Sequence, residues 1–316
     1  MRAGVLAGDG AVRIDDVPVP QPDQGEVRLA VEGCGVCGSD LPMWQGRPWF
    51  QYPRPPGAPG HEAWGRVDAV GPGVSGIAEG DRVAALSYHG YAEFDVARAD
   101  RLVPLGRELD GAPFPGEALA CAMNVFARSG IAAGDWVAVV GAGFLGSLLC
   151  HLAAGQGAQV IAVARRSGAR AAARAMGAAH VLGFGETTLE QVIELTRGRL
   201  CDVVVEAAGA QATIDLAGAL TRVRGRLVVA GFHQDGPRQI DLQLWNWRGL
   251  DVINAHERDP DMYVRGMAAA AAAVATGRLD PAPLYGAPFE LERLGDALAA
   301  AGGGDEDRPL KAMVHP

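Results

Sequence analysis

The 316-residue sequence has no basic run, and its 28 Lys and Arg are outnumbered by 37 Asp and Glu, for a formal net charge of -9. Such a chain offers little to a polyanion, so nucleic acid is not expected as a partner. Long apolar runs are also missing. The most apolar stretches, 136–145 and 267–275, are broken by glycine or built largely of alanine, and they fall short of the roughly 20 residues that cross a bilayer. The opening residues MRAGVLAGDGAVRIDDVPVP hold no apolar segment of signal type. The expectation is a soluble, cytoplasmic protein with no membrane partner. The five cysteines are odd in number and scattered, which argues against a disulfide framework and leaves a thiol available as a metal ligand. No repeat at solenoid periods is found. What is plentiful is apolar material for a core, at 49% of residues, together with 44 glycines and 20 prolines for tight turns. The length suits two domains.

Residues 1–110 read as short strands separated by Gly, Pro and Asp turns. Examples are Glu26–Glu32, Gly65–Val70 and Arg82–Leu86, with turns at Gly71-Pro72-Gly73 and Gly80-Asp81. That punctuation predicts a β-rich, barrel-like unit. Near residue 117 the pattern changes to alternation. Helices are expected at 117–130, 145–156, 167–176 and 211–221, and strands at Asp135–Val140, Gln159–Val163, His180–Leu182, Asp202–Glu206, Arg226–Ala230 and Asp251–Ala255. Strands alternating with helices predict a doubly wound parallel sheet, so the fold class is α/β. A long Ala-rich helix is expected at 261–276. The tail 284–316 reads as β-rich and as returning to the first domain. The domains expected are 1–122 with 284–316, and 123–283.

Gly141-Ala142-Gly143-Phe144-Leu145-Gly146 fits G-x-G-x-x-G directly after a strand and at the start of a helix, the context in which the pattern binds a dinucleotide. Gly141 suits the tight turn, Gly143 the approach of a pyrophosphate and Gly146 close helix–strand packing, while the helix N-terminus offers free N–H groups to phosphate. The second strand ends Ala162-Val163-Ala164-Arg165-Arg166. An acid that would bind a ribose 2′-hydroxyl is expected here, about 20 residues on, yet Ala164 holds that place and two cations follow. Arg165 and Arg166 would hold a 2′-phosphate, so NADP(H) is preferred over NAD(H). Solvated surface arginines are the alternative.

Cys37, in GVCGSD, is followed by Pro59-Gly60-His61-Glu62 and by Gly116-Glu117-Ala118-Leu119. Each is weak alone. Together they offer thiolate, imidazole and carboxylate, a set that suits zinc with an open position, able to polarise an alcohol or carbonyl oxygen.

With these stretches in place, the chain resembles the zinc-containing medium-chain alcohol and polyol dehydrogenases. The resemblance covers nearly the whole length and is carried, in order, by GVCGSD, PGHEAWGRVDAVGPGV, GDRV, GYAEF, GEALACAMNV, GAGFLG and DVVVEAAG. It implies a GroES-like catalytic domain beside a Rossmann domain, and one catalytic zinc per chain. By resemblance Cys37 and His61 are zinc ligands, Glu117 takes the third-ligand position, and Glu62 is a ligand in some members and lies behind the ligands in others. Asp40 is implied to orient the zinc-bound histidine, Ser39 to bond the substrate oxygen and begin proton transfer, and Lys311 to lie near the pyrophosphate. A homodimer or homotetramer is implied, with the 251–256 strand at the subunit interface. Glu117 could instead be a helix-start carboxylate, and Cys121 could be the thiol that matters.

Two departures stand out. The four-cysteine lobe of the family's structural zinc belongs after GDRV, but here Gly80-Asp81-Arg82-Val83 runs within ten residues into Gly90-Tyr91. No structural zinc is expected. The relay histidine three residues after the Ser/Thr is replaced by Pro42, with His89 a candidate substitute. Trp44, Arg47, Trp49, Phe50 and Tyr52 could line a substrate entrance or pack as a hydrophobic loop, and Asn254 or His256 could reach the site or face solvent. The function expected is hydride transfer between NADP(H) and a secondary alcohol, polyol, cyclitol or sugar. The alternatives are a zinc-free quinone or enone reductase and a non-catalytic NADPH-binding sensor.

Overall fold

The computed structural model describes residues 1–303 and 308–316. It divides the chain into two compact units, Met1–Ala120 with Arg258–Pro316, and Cys121–Glu257.

The first unit is built on the ten-residue strand Glu26–Gly35, whose alternate residues Val27, Leu29 and Val31 are buried, the period-2 pattern of a strand with one face on a core. It pairs antiparallel with Glu62–Val70, Phe94–Arg98 and the C-terminal Met313–His315. Arg82–Ala85 and Leu102–Pro104 extend the sheet beyond Glu62–Val70. A separate antiparallel hairpin joins Arg2–Leu6 to Val12–Asp16. The return of the tail thus takes physical form in one strand pairing. The tail is less β-rich than expected, because Leu294–Gly302 is a helix that buries Leu294, Ala297 and Leu298 in this core. The Ala-rich helix Pro260–Ala275 also falls in this unit rather than with the parallel sheet. Its Met267 is fully buried and packs at Gly116, and Asp261 accepts a 2.6 Å hydrogen bond from Arg101.

The second unit holds a six-stranded parallel sheet. Its order is His180–Gly183, Gln159–Ala164, Trp136–Val140, Cys201–Glu206, Thr221–Val229 and Asp251–Asn254. The central strands are near-continuous runs of buried Val, Ile and Ala, as befits strands covered on both faces. Helices Phe144–Gly155, Ser167–Ala175 and Gln211–Leu220 fall where the sequence placed them. Two others, Thr188–Leu195 and Leu242–Arg248, were not foreseen. Each is eight residues or fewer, too short to establish a 3.6-residue period convincingly. Among the described residues, no helix is long and apolar enough to cross a membrane.

Candidate metal centre and cofactor loop

The metal donors come from three places in the first unit. Cys37 precedes the short 3-10 turn Gly38–Asp40, His61 sits at the turn that opens strand Glu62–Val70, and Glu117 lies in the first turn of helix Gly116–Ser129. Donor atoms of Cys37, His61 and Glu62 all lie within 4.8 Å of one another, and this is the group able to share an ion among the described residues. Glu117 Oε2 is 3.9 Å from His61 Nε2. Cys121 lines a small cavity with Leu145, Ala230 and Ala255 in the second unit.

The histidine is oriented from behind. Its Nδ1 lies 2.9 Å from the Pro59 carbonyl oxygen and 3.3 Å from Asp40 Oδ1, which leaves Nε2 facing the other donors. Asp40 is fully buried. Its Oδ2 accepts from the Cys37 backbone N–H at 3.0 Å and from the Tyr91 hydroxyl at 2.6 Å, while Oδ1 has no hydrogen-bond partner. A buried carboxylate oxygen left against an imidazole suits a ring whose far nitrogen carries a cation. Burial opposes charge on His61, but Asp40 and Cys37 together outweigh it and hold the imidazole well above its ordinary value of 6.5. The donor set and this backing fit zinc.

Lys311 is engaged within the first unit. Its ammonium is buried and donates to both Glu62 carboxylate oxygens at 2.7 Å and to the Val36 carbonyl at 3.3 Å. Burial opposes its charge, but Glu62, helped by Cys37 and Glu117, raises it above the usual lysine range. The lysine neutralises a carboxylate that would otherwise be buried with a net charge.

Ser39 is half-buried in the Gly38–Asp40 turn. The aromatic stretch divides. Trp44 Nε1 donates to the Gly10 carbonyl and the Tyr52 hydroxyl to the Met43 carbonyl, so both pack in the unit. Trp49 is exposed, and Phe50 stacks under Arg54. His89 is exposed, with Nδ1 3.9 Å from the buried Asp95. Asn254 is exposed, and its side chain accepts from the His256 backbone N–H.

In the second unit, Gly141 has a φ of +104° at the end of strand Trp136–Val140, a conformation that favours glycine. A Cβ on Gly146 would run into the Gly141 carbonyl, whereas one on Gly143 would meet nothing within 4 Å. Gly143 precedes helix Phe144–Gly155, with Phe144 and Leu145 in its first turn. The loop is therefore tight where helix and strand meet and open where a phosphate group would approach. Ala164 ends strand Gln159–Ala164, Arg165 is exposed, and Arg166 precedes helix Ser167–Ala175. A cation not singled out from sequence, Arg170, donates to the Ala164 and Arg165 carbonyls and ties down this turn. Its position one helical turn after Arg166 was the available signal.

A GroES-like sheet unit with clustered thiol, imidazole and carboxylate, joined in one chain to a dinucleotide-type sheet, defines a metal-type dehydrogenase class. Residues 23–107 match the alcohol dehydrogenase GroES-like domain, and residues 145–272 match the zinc-binding dehydrogenase family. L-threonine 3-dehydrogenase of Pyrococcus furiosus is 30% identical, covering 68% of this chain and 71% of the relative. Sorbitol dehydrogenase of Bacillus subtilis is 27% identical, covering 100% of this chain and 97% of the relative. A zinc-binding dehydrogenase from Sinorhizobium meliloti 1021, bound to NADP, superposes with a TM-score of 0.87 at 26% identity, covering 100% of this chain and 99% of that one. The chain belongs to the zinc-type medium-chain dehydrogenase/reductase family, and it is an oxidoreductase of the alcohol and polyol dehydrogenase kind.

Proposed function

We propose that the protein is a zinc-dependent dehydrogenase that interconverts a secondary alcohol, polyol, cyclitol or sugar with its carbonyl form, using NADP(H). The observation that carries the reading is the gathering of Cys37, His61 and Glu62 donors within 4.8 Å, with Glu117 at 3.9 Å from His61 Nε2. Cys37 and His61 hold the metal. Glu117 completes the set, because Lys311 already occupies both oxygens of Glu62. When bound, zinc supplies Lewis acidity and the nicotinamide supplies the hydride chemistry. The chain's own residues do the positioning. Asp40 orients His61, Ser39 hydrogen-bonds the reacting oxygen and passes its proton, and Pro42 obliges that proton to leave by a path without the usual histidine.

Preference for NADP(H) rests on Ala164 in place of an acid, on Arg165 and Arg166 beside it, and on the NADP found in the Sinorhizobium meliloti relative. No structural zinc is proposed, since the short connection from Arg82–Ala85 to Tyr91 has no four-cysteine lobe. A homodimer is proposed through the sheet edge at Asp251–Asn254, where Val252 and nearby Trp247 and Leu242 are exposed. An open strand edge invites pairing with another chain.

The test is absorbance at 340 nm with NADP and a panel of secondary alcohols, polyols, cyclitols and sugars, with and without a zinc chelator. NADPH formation abolished by the chelator and restored by zinc is expected. Turnover indifferent to chelation, with quinones or enones as the working substrates, would replace this reading with the zinc-free reductase.

A further inference from the structure

Tyr91 is a fully buried tyrosine whose hydroxyl the proposed chemistry does not use. It lies outside the strands, between Arg82–Ala85 and Phe94–Arg98, yet its backbone is fixed on both sides. Its N–H donates to the Gly57 carbonyl at 3.1 Å, and its carbonyl accepts from the Gly4 N–H at 2.8 Å. A Cβ on Gly60, the residue before His61, would run into the Tyr91 backbone nitrogen, so the His61 turn and Tyr91 are in close packing. From this anchored position the hydroxyl makes a 2.6 Å bond to Asp40 Oδ2. The same oxygen accepts from the Cys37 N–H, and the other oxygen faces His61 Nδ1 at 3.3 Å. One carboxylate therefore touches the surroundings of two donors, and the tyrosine hydroxyl is its buried side-chain donor.

We propose that Tyr91 is a positioning residue of the metal centre: its hydroxyl fixes the Asp40 carboxylate, which in turn sets Cys37 and His61 for one ion. Groups that orient a ligand's partner commonly alter metal affinity when removed, by about 10- to 100-fold at the first such layer. Tyr91 acts one layer further out, which places its effect at the lower end. The inference rests on the zinc reading above.

Tyr91→Phe keeps the ring and removes only the hydroxyl. Zinc transfer from the variant to a colorimetric chelator is expected to be about tenfold faster than from wild type. The thiolate-to-cobalt and ligand-field bands of the Co2+-substituted protein are expected to shift, while the far-UV circular dichroism of the metal-free forms stays the same. A double-mutant cycle with Asp40→Asn isolates the route, since residues acting through one another are non-additive. Once Asp40→Asn has removed the carboxylate, deleting the hydroxyl should add little. Wild-type release rate and unchanged cobalt bands in Tyr91→Phe would overturn the proposal, as would a full tenfold effect that persists in the Asp40→Asn background. A wild-type protein that binds neither zinc nor cobalt would overturn the metal reading itself, and is told apart by measuring wild type first.

Discussion

The two units build their sites from opposite materials. In the first unit the site consists of charged and polar side chains taken out of water: Asp40, Glu62, Glu117 and Lys311 are all among its buried residues. In the second unit the expected phosphate loop is backbone and space, a glycine turn with φ of +104° and an open side at Gly143. Its cations, Arg165 and Arg166, lie at the rim rather than in the core. The first arrangement is costly unless every charge has a partner. The second places no charged side chain in the glycine loop itself, and the buried Glu206 nearby is met by His233 and by backbone N–H groups. Mutations in the first unit should therefore strike metal, fold and activity together, and mutations in the second should separate binding from stability.

The largest effect is expected from His61→Ala. It removes a donor and takes the imidazole away from Asp40 Oδ1, so metal content by elemental analysis should fall to background and turnover should drop by more than about 100-fold, the upper end for residues merely behind the ligands. Retained zinc at wild-type stoichiometry would dissolve the cluster as a site. Lys311→Met comes next. It strands the Glu62 carboxylate, and breaking such a buried pair from one side costs about 3–5 kcal/mol, to be read from denaturant unfolding of the metal-free protein. The pH dependence has a definite sign. Lys311 is raised in the folded state, burial opposing and Glu62 prevailing, so the pair's contribution is complete below the unfolded lysine pKa and is lost as pH climbs through the folded one. The difference between wild type and Lys311→Met should hold steady through neutral pH and shrink only in strongly alkaline solution.

Arg165→Ala and Arg166→Ala probe the rim of the second unit. A charge-assisted hydrogen bond contributes about 1.5–3 kcal/mol, so each change should weaken NADPH binding by about 10- to 100-fold in a fluorescence titration and leave NADH binding nearly unchanged. Equal weakening of both cofactors would mean that these arginines do not read a 2′-phosphate.

The same contrast explains what could be read from the sequence. The phosphate loop is six contiguous residues between a strand and a helix, so Gly141, Gly143 and Gly146 announce their roles by spacing. The parallel sheet was equally legible, because its buried strands carry apolar runs such as Trp136–Val140 and Val203–Val205. The proposed metal centre joins residues 37, 61 and 117, each weak alone in the sequence, and only the family resemblance supplied their individual roles. Its supports are more distant still. Lys311 meets Glu62 across 249 residues, and Tyr91 meets Asp40 across 51. No local period encodes such pairings. They follow from the antiparallel register that sets Met313–His315 beside Glu26–Gly35, and Glu26–Gly35 beside Glu62–Val70. The helix Pro260–Ala275 groups with the first unit, for a related reason: an alanine-rich face packs as readily on either core, and sequence carries no mark of which one receives it.

The smallest and sharpest test lies within the glycine loop itself. Gly146→Ala would press a methyl group into the Gly141 carbonyl, so backbone must move. Overpacking of this kind costs about 1–3 kcal/mol, partly offset by the roughly 1 kcal/mol that alanine gains over glycine inside a helix. Gly143→Ala meets nothing within 4 Å, and its φ of -74° is open to any residue. Its stability should stay within about 0.5 kcal/mol of wild type, as for a substitution that touches nothing, yet NADPH affinity should fall, because the new methyl stands in the space through which a pyrophosphate would reach the helix N-terminus. Stability lost at 146 and affinity lost at 143 would establish that the loop is shaped at one glycine by the fold and at the other by the ligand. Unchanged NADPH binding in Gly143→Ala would mean that the open side faces solvent rather than cofactor, and the second unit would lose its role in the reaction while keeping its fold.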